Sequence, residues 1–424
     1  MSSRLTPRMV DATESVLLRL LEFVQPADGV LSRFFRERKD LGMRERAFVA
    51  ETAYAVLRRR STLAAWCRAA GDREPSARHL ALAALVRLSG HGQRQLADIL
   101  PAADGQWLAR LRAAPEPVLS LAEQADLPDW LVHRLSASTD ADGILALARG
   151  LNQPAPLDLR INPLKTDRAA VLERLGESGL EASPCPWAPL GIRLAGKPAL
   201  ARHPLYLEGL VEVQDEGSQL LGHLVAPRRG EMVVDFCAGA GGKTLLLGAL
   251  MRSTGRLYAF DVADRRLAKL RPRVARAGLS NVHPICISGE NDVRIKRLAG
   301  KADRVLVDAP CSGLGTLRRN PDLKWRQTPG SVDELSRKQC DILVGAARMV
   351  QRGGRLVYAT CSLLPEENSL IVERFLATHA DFRRTSAREV LADQGIAVEC
   401  GEDLVLLPHV HGTDGFFAAV LERT

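Results

Sequence analysis

From Gly230 onwards, short apolar runs alternate with segments of helical periodicity, and this alternation restricts the fold more than any other feature of the chain. Such a pattern is typical of a parallel, doubly wound sheet with helices on both faces. The predicted strands are residues 232–236, 256–260, 283–287, 305–307 and 356–359. Two later apolar runs, 405–407 and 416–421, predict an antiparallel hairpin. We therefore expect an α/β, Rossmann-like domain over residues 226–424.

The part of the chain before this domain shows two other patterns. Residues 1–150 repeat apolar side chains at helical spacing and contain few strand-like runs, which predicts an all-α domain. The repeat is clear at Leu17, Leu20, Leu21 and Val24. The sequence NQPAP at 152–156 predicts a linker. Strand-like runs at 157–161 and 191–194 then predict a small α+β subdomain over residues 151–225.

Length and composition are typical of a multidomain protein of the cytoplasm. The 424 residues suit two or three domains, and the net charge of +8 allows an anionic partner without requiring one. The eight cysteines show no repeated spacing and no C-x-x-C pair, so we expect neither a disulfide framework nor a bound metal. No apolar stretch is long enough to cross a membrane. We expect a monomer in a reducing cytoplasm.

Two predicted strands end in cysteine motifs. Asp308 and Cys311 directly follow the strand at 305–307, and Cys361 follows the strand at 356–359. Ligands of α/β sheets bind beyond the carboxyl ends of the strands, so neighbouring strands would bring both thiols to one site. A single cysteine is more often a small buried hydrophobe. Two cysteines in matched positions favour a chemical role.

A glycine-rich turn follows the first predicted strand. It consists of Cys237, Ala238, Gly239, Ala240, Gly241, Gly242 and Lys243. Cys237 occupies a position where a phosphate-binding P-loop needs glycine, so that motif is excluded. Asp261 ends the second strand, where an acid can bind the hydroxyls of a ribose. The ligand could be a dinucleotide or S-adenosylmethionine, and the short loop with a C-terminal antiparallel hairpin favours the latter. The alternative is an ordinary tight turn.

The cysteine motifs carry a specific resemblance. DAPCSG, the following RRNPDLKW and the later YATCSLLPEEN resemble the paired motifs of the RNA 5-methylcytosine methyltransferases of the Sun family. The match is close over residues 205–370 and at TDGFF (413–417), and loose over 1–150. The resemblance implies a Rossmann-like methyltransferase domain, an RRM-like subdomain and a NusB-like helical domain that binds RNA.

The resemblance also implies roles for the strand-end residues, which the residues alone do not rank. Cys361 of the TC motif is implied as the nucleophile that adds to cytosine, and Cys311 of the PC motif as the residue that assists release. Asp308 is implied to bind the cytosine edge, with Lys243 facing the base or the cofactor. The implied cofactor is S-adenosylmethionine, bound by the glycine loop, Asp261, Asp308 and an acid after the third strand.

The acid after the third strand has two candidates. We choose Asp292, and Glu290 is close enough in sequence to compete. For Asp292 the alternative is a residue that only shapes a turn.

Four basic side chains follow the first cysteine motif and are expected to bind RNA phosphates. They are Arg318, Arg319, Lys324 and Arg326. Trp325 lies among them and could stack on a base or anchor the loop; we favour packing.

The resemblance implies RNA as the partner, and 16S ribosomal RNA is the favoured substrate. A base inside a duplex would have to be flipped out before two thiols could reach it, so single-stranded or loosely structured RNA is expected. Two alternatives stay open: the same chemistry on transfer RNA, or a non-catalytic RNA-binding or assembly factor. The presence of both thiols, Asp308 and Asp261 in one chain argues against the second.

Overall fold

The computed structural model describes residues 5–424 except 93, 95 and 97, and the chain divides into two compact units. The first contains the residues up to Gln153 together with Leu317–Thr328. The second contains Pro154–Thr316 and Pro329–Thr424. The division at Gln153 falls inside the predicted linker. The return of Leu317–Thr328 to the first unit was not predicted.

The first unit is built from α-helices, which confirms the all-α prediction. Those described are Pro7–Leu20, Ala27–Glu37, Met43–Arg58, Arg60–Ala69, Ala77–Arg87, Ala102–Ala113, Leu121–Ala125, Asp129–Leu135, Ala141–Leu151 and, from the returning segment, Leu323–Arg326. Their apolar faces form one core, in which Leu17 and Leu20 are buried as the periodicity predicted. Val24 is 74% exposed, because the helix ends at Leu20 and the stripe does not continue.

The segment 317–328 is anchored to the end of a helix in this unit. The last carbonyls of an α-helix have no partner within the helix and need one from elsewhere. The indole of Trp325 donates to the carbonyl of Leu57 at 3.0 Å, and Lys324 Nζ donates to that of Arg58 at 2.8 Å. Lys324 also donates to Asn152 Oδ1 at 3.1 Å. Packing of Trp325, the favoured prediction, is confirmed.

The second unit begins with a four-stranded antiparallel sheet. Its strands are β1 (Leu157–Ile161), β2 (Ala182–Pro184), β3 (Gly191–Leu194) and β4 (Val211–Val213). They lie in the order β2-β3-β1-β4, with helices after β1 and before β4. This is the ferredoxin-like arrangement, so the small α+β unit was predicted correctly. The short strand β2 was not predicted.

The larger sheet has eight strands. They are β5 (Met232–Asp235), β6 (Arg256–Asp261), β7 (Val282–Cys286), β8 (Ala302–Asp308), β9 (Val350–Thr360), β10 (Phe382–Thr385), β11 (Leu404–Leu406) and β12 (Phe416–Arg423). The order is β10-β12-β9-β8-β5-β6-β7, and β11 pairs with β12. Strands β5 to β9 are parallel and β12 is antiparallel. The predicted strands and the hairpin are confirmed; β10 was not predicted.

Helices pack on both faces of the larger sheet, and others lie in the connections of the four-stranded sheet and between the two sheets. The helices of this unit are Arg168–Glu177, Pro204–Leu207, Glu216–Val225, Gly242–Leu250, Asp264–Ala277, Val293–Arg297, Pro329–Ala347, Ser369–Thr378, Ala387–Ala392 and Pro408–His411. Short 3-10 turns lie at Leu200–Arg202, Leu314–Thr316 and Pro365–Glu367. Among the described residues, none of the helices combines the length and apolar character needed to cross a bilayer.

Burial on both faces explains the apolar runs of the central strands. In β8, Val305 and Val307 pack into the core on one face and Leu306 into the core on the other. Successive side chains of a strand point to opposite faces, so a strand covered on both sides must be apolar throughout. The sheet positions its polar strand ends at one edge, where β5 lies between β6 and β8.

The buried ammonium group of Lys324 makes the first unit sensitive to pH. Burial lowers the pKa of Lys324 to about 7, against about 10.4 for an unfolded lysine. As the pH falls between these values, the unfolded chain binds a proton that the folded chain does not, so stability falls. Relative to Lys324→Met, the wild type should lose on the order of 3 kcal/mol from pH 10 to 7, with no further loss below. Thermal unfolding of both proteins between pH 7 and 10 measures this loss of stability.

A matched control is Lys39→Met, which changes an exposed lysine of the same unit. Its Tm difference from the wild type should stay nearly constant with pH. A pH-independent difference for Lys324→Met would contradict the prediction.

Candidate active site

The two strand-end cysteines meet. Strands β8 and β9 are parallel neighbours in which Asp308 is paired with Ala359, and the last rung is the bond from Ala309 N to the Ala359 carbonyl at 2.8 Å. Just beyond it, the Sγ atoms of Cys311 and Cys361 lie 3.3 Å apart. The backbone N–H of Cys361 also points at Cys311 Sγ, at 3.3 Å. The predicted meeting of both thiols at one sheet edge is confirmed.

The two sulfurs do not ionise together. The pKa of the Cys311 thiol is raised well above its usual value, first by its hydrogen bond to Cys361 and then by burial. The negative charges of Cys361 and Glu367 add to this effect. A thiol that donates to a neighbouring sulfur stabilises a thiolate on that neighbour. Either sulfur can be the donor in this contact, so the pair combines a hydrogen-bond donor and an acceptor within 3.3 Å.

A cation and a carboxylate adjoin the thiols. Lys243 lies in the first turn of the helix Gly242–Leu250, and its Nζ is 2.7 Å from Asp308 Oδ2. The Lys243 side chain is only 10% exposed, whereas that of Asp308 is 32% exposed. Burial alone would lower the pKa of Lys243, but Asp308 and Cys361 outweigh it and raise the pKa. The site thus holds a fixed positive charge and a carboxylate that a ligand can reach.

The glycine loop has the backbone conformation that its sequence predicts. Gly239 and Gly241 have φ angles of 57° and 85°, in the left-handed region that glycine tolerates best. A Cβ atom on Gly241 would lie 2.1 Å from Leu270 Cδ1, whereas one on Gly239 would meet no atom within 4 Å. Asp261 accepts hydrogen bonds from Gly239 N at 2.8 Å and Ala263 N at 2.7 Å. The loop therefore leaves open space above Gly239, beside the acid.

The remaining loop residues support this shape. Cys237 is half-buried against the sheet core, and burial raises the pKa of its thiol well above the usual value. Ala238 is buried, and its N–H donates to the Phe260 carbonyl at 2.9 Å. Ala240 is exposed. Together they make a rigid rim around the open space.

Two arginines that the sequence analysis missed hold the loop from behind. Arg160, on β1, donates to the carbonyl of Gly242 at 2.7 Å, and Arg273 donates to that of Ala240. Arg160 is 3% exposed, and burial lowers its pKa to about 10. Neither residue is near the loop in sequence, and no motif marked them.

The acid after the third strand shapes a turn. Asp292 Oδ1 accepts from Arg294 N at 2.8 Å and Oδ2 from Ser288 N at 2.9 Å, which caps the helix Val293–Arg297. These bonds, first that of Arg294 and then that of Ser288, lower the pKa of Asp292. Glu290 is partly exposed and accepts from the Asn291 amide at 3.1 Å. Asp292 therefore stabilises the turn and the start of the helix, which was the alternative interpretation. A cofactor contact from Asp292 or Glu290 stays a prediction.

The structure corrects part of the predicted RNA-binding set. Lys324 is 1% exposed, and its amine is used by carbonyl oxygens of the helical unit, so it cannot also neutralise a phosphate. Arg318 is 8% exposed. Arg319 and Arg326 are partly exposed, and Arg326 forms an ion pair with Asp322 at 3.3 Å. Of the four, only Arg319 and Arg326 keep partly exposed side chains.

The residues present fit S-adenosylmethionine. The open face above Gly239, the helix that begins at Gly242 and the carboxylate of Asp261 suit a nucleoside with a charged tail. A doubly wound sheet with an antiparallel last strand, this loop and two thiols in contact at the strand ends is the arrangement of an S-adenosylmethionine-dependent methyltransferase.

Comparison with known proteins gives the same class. A family profile described as 16S rRNA methyltransferase RsmB/F matches residues 222–422, and one for the ferredoxin-like domain of RsmF/B-like methyltransferases matches residues 127–201. The probable ribosomal RNA small subunit methyltransferase B of Synechocystis is 36% identical over 91% of this chain and 93% of its own. The chain belongs to the RsmB/F family of RNA methyltransferases, and its cofactor is S-adenosylmethionine. The resemblance read from the motifs is confirmed.

Solved structures agree over long stretches. The crystal structure of PH0851 matches all of both chains with a TM-score of 0.79 and 25% identity. That of a methyltransferase homologue from Pyrococcus horikoshii covers 72% of this chain and 98% of its own, with a TM-score of 0.61 and 28% identity. The fold around the site is therefore shared with proteins of known structure.

Alanine substitutions at two loop glycines should separate stability from cofactor binding. Gly241→Ala puts a Cβ against Leu270 and should lower the free energy of unfolding by about 1–3 kcal/mol. Gly239 also has a positive φ angle, but a Cβ atom there would meet no neighbouring atom. Gly239→Ala should therefore lower the free energy of unfolding by only about 1 kcal/mol. Its methyl group instead enters the open face, where it should weaken cofactor binding at least as much as Gly241→Ala does.

Thermal unfolding and calorimetric titration with S-adenosylmethionine measure the two effects. Equal losses of Tm in the two variants, with cofactor affinity intact in Gly239→Ala, would show that the open face is not the cofactor site.

Proposed function

We propose that this protein methylates carbon 5 of a cytosine in RNA through a covalent adduct with Cys361. The observation that carries the proposal is the 3.3 Å contact between the sulfurs of Cys311 and Cys361, beside the glycine loop. Cofactor-dependent methylation of a more reactive atom would need no thiol. A pair of thiols that shares one proton is suited to a reaction in which one sulfur attacks and later leaves.

The chemistry explains the need for a nucleophile. Carbon 5 of cytosine is too weakly nucleophilic to attack a methyl sulfonium. Addition of the Cys361 thiolate to carbon 6 forms a C–S bond and makes carbon 5 enamine-like. S-adenosylmethionine supplies the methyl group that carbon 5 takes up. Loss of the carbon 5 proton to a base then restores the double bond and expels the Cys361 sulfur.

Three neighbours of Cys361 assist this reaction. Cys311 donates a hydrogen bond to the attacking sulfur and assists its release at the end of the reaction. Asp308 has the exposure needed to bind the N3 and N4 edge of the base, which favours the activated, protonated ring. Lys243 holds Asp308 in place and stabilises negative charge on Cys361.

We propose small-subunit ribosomal RNA as the substrate. Support comes from the family description and from relatives named ribosomal RNA small subunit methyltransferase B. The net charge of +8 suits an anionic polymer. The target cytosine must be unpaired or flipped out, because both thiols are half-buried at the sheet edge and a base stacked in a duplex cannot reach them.

Replacing Cys361 and replacing Cys311 should have opposite effects on the covalent complex between protein and RNA. Cys361→Ala removes the attacking sulfur, so methylation should fall to background and no adduct should form. Cys311→Ala leaves the nucleophile but removes the group that assists release, so protein and RNA should stay joined. A denaturing gel of protein incubated with small-subunit ribosomal RNA and cofactor would show the complex, and mapping of 5-methylcytosine would locate the product.

Cys340→Ala is the matched control, since this half-buried thiol lies on the helix Pro329–Ala347. It should methylate normally and leave no adduct. Normal turnover by Cys311→Ala would reject the division of labour, and full activity of Cys361→Ala would reject the mechanism.

We further propose that Arg319 and Arg326 bind RNA phosphates. The logarithm of the RNA association constant falls linearly with the logarithm of the salt concentration, and each side chain that pairs with a phosphate of single-stranded RNA contributes about 0.7 to that slope. The double alanine variant should therefore reduce the slope by about 1.4. Cofactor affinity should not change. Arg383→Ala, on the edge strand β10 with a 69% exposed side chain, is the control. An unchanged slope in the double variant would remove these two arginines from the RNA interface.

A further inference from the structure

A buried glutamate connects the residues that follow the two cysteines. Glu367 lies in the 3-10 turn after β9, and its side chain is fully buried. Its Oε1 accepts from the backbone N–H of Ser312 at 2.8 Å and from Gln339 Nε2 at 3.0 Å. Its Oε2 accepts from the hydroxyls of both Ser312 and Ser362. Ser312 directly follows Cys311 in the chain and Ser362 directly follows Cys361.

The set of donors requires a carboxylate. An ionised carboxylate only accepts and offers about four lone pairs, which match these four bonds. A glutamine in its place would turn an N–H group towards at least one donor and leave that donor without an acceptor. All four donors are neutral hydroxyl or amide groups, so none of these bonds is an ion pair.

The Glu367 carboxylate joins the turns that lie beyond the last paired residues of β8 and β9. Ladder pairing of β8 with β9 ends at Ala309 and Ala359, and the cysteines lie in the turns beyond. One backbone bond, from Gly315 N to the Cys361 carbonyl at 2.8 Å, joins these turns. The Tyr358 hydroxyl, which donates to the Glu367 carbonyl at 2.6 Å, sets the point from which the Glu367 side chain extends.

We propose that Glu367 is a positioning residue for the two-thiol site, holding the sulfurs of Cys311 and Cys361 in contact and directing nucleophilic attack to Cys361. The inference rests on the proposed function, and it assigns a role to the PEEN sequence that the cysteine chemistry leaves unexplained. The acid touches neither thiol as an acid or base. It acts through the serines and through its charge.

The charge favours one sulfur over the other. A second anion close to the buried carboxylate is disfavoured, and Glu367 is among the groups that raise the pKa of Cys311. The carboxylate therefore favours the protonated form of Cys311. Without the carboxylate this asymmetry weakens, and the reactivities of the two thiols should approach each other.

Thiol reactivity in the protein without RNA tests this directly. Iodoacetamide labels thiolates, and mass spectrometry of peptides gives separate rates for Cys311 and Cys361 between about pH 6 and 9. In the wild type, Cys361 should react faster throughout. In Glu367→Gln the ratio of the two rates should fall by about tenfold, equivalent to roughly one pKa unit. Glu373→Gln, an exposed acid on the next helix, should leave the ratio unchanged.

A second variant covers the case in which Glu367→Gln does not fold. Ser362→Ala removes one of the four donors and frees the turn after Cys361, so its ratio should fall in the same direction while its Tm stays close to that of the wild type. An unchanged ratio in folded Glu367→Gln, or in Ser362→Ala if only that variant folds, would overturn the proposal.

The RNA adduct experiment stands apart from this one. If Cys361→Ala keeps full methylation activity but the thiol ratio responds to Glu367, the proposed reaction is wrong and the effect of Glu367 on the two thiols holds. If the adduct forms and the ratio does not respond, the positioning role alone is wrong.

Discussion

The contact between the sulfurs of Cys311 and Cys361 depends on the pairing of β8 with β9. Parallel strands rise about 3.3 Å per residue, so a slip of one residue would carry the thiols out of contact and turn their side chains to the opposite face. The register is held by more than backbone bonds. Glu367, on the turn after β9, accepts from the backbone N–H of Ser312, on the turn after β8, at 2.8 Å. The contact between the two thiols is therefore a consequence of how the central sheet packs.

The cofactor loop shows a similar dependence on distant parts of the chain. Its glycines allow the turn, but the carbonyls of that turn are held by Arg160 from the ferredoxin-like sheet and by Arg273 from a helix of the larger domain. The ferredoxin-like part thus contacts the glycine loop directly through Arg160. Displacing the loop would leave the buried Nη1 of Arg160 without its bond to the Gly242 carbonyl, which is costly in a buried site.

The segment that follows the first cysteine motif has an unexpected place. A run of arginines and a lysine would ordinarily be assigned to a solvated, RNA-facing loop. Here Lys324 and Trp325 instead complete the carbonyl end of the helix Met43–Arg58. The chain therefore passes from the second unit into the first and back again within residues 317–328. Charge at a position in the sequence does not reveal whether a helix end elsewhere needs a donor.

The sequence by itself determined the sheet, the glycine turn and the strand-end positions of Asp308, Cys311 and Cys361, because hydrophobic periodicity and glycine conformations are local properties of the chain. It also determined the family, through contiguous motifs. Only the tertiary structure decided the 3.3 Å approach of the sulfurs, the burial of Lys324 and the four bonds to Glu367. Each of these joins residues that are far apart in sequence or depends on which polar groups the packing leaves without partners, and neither is encoded in a local pattern.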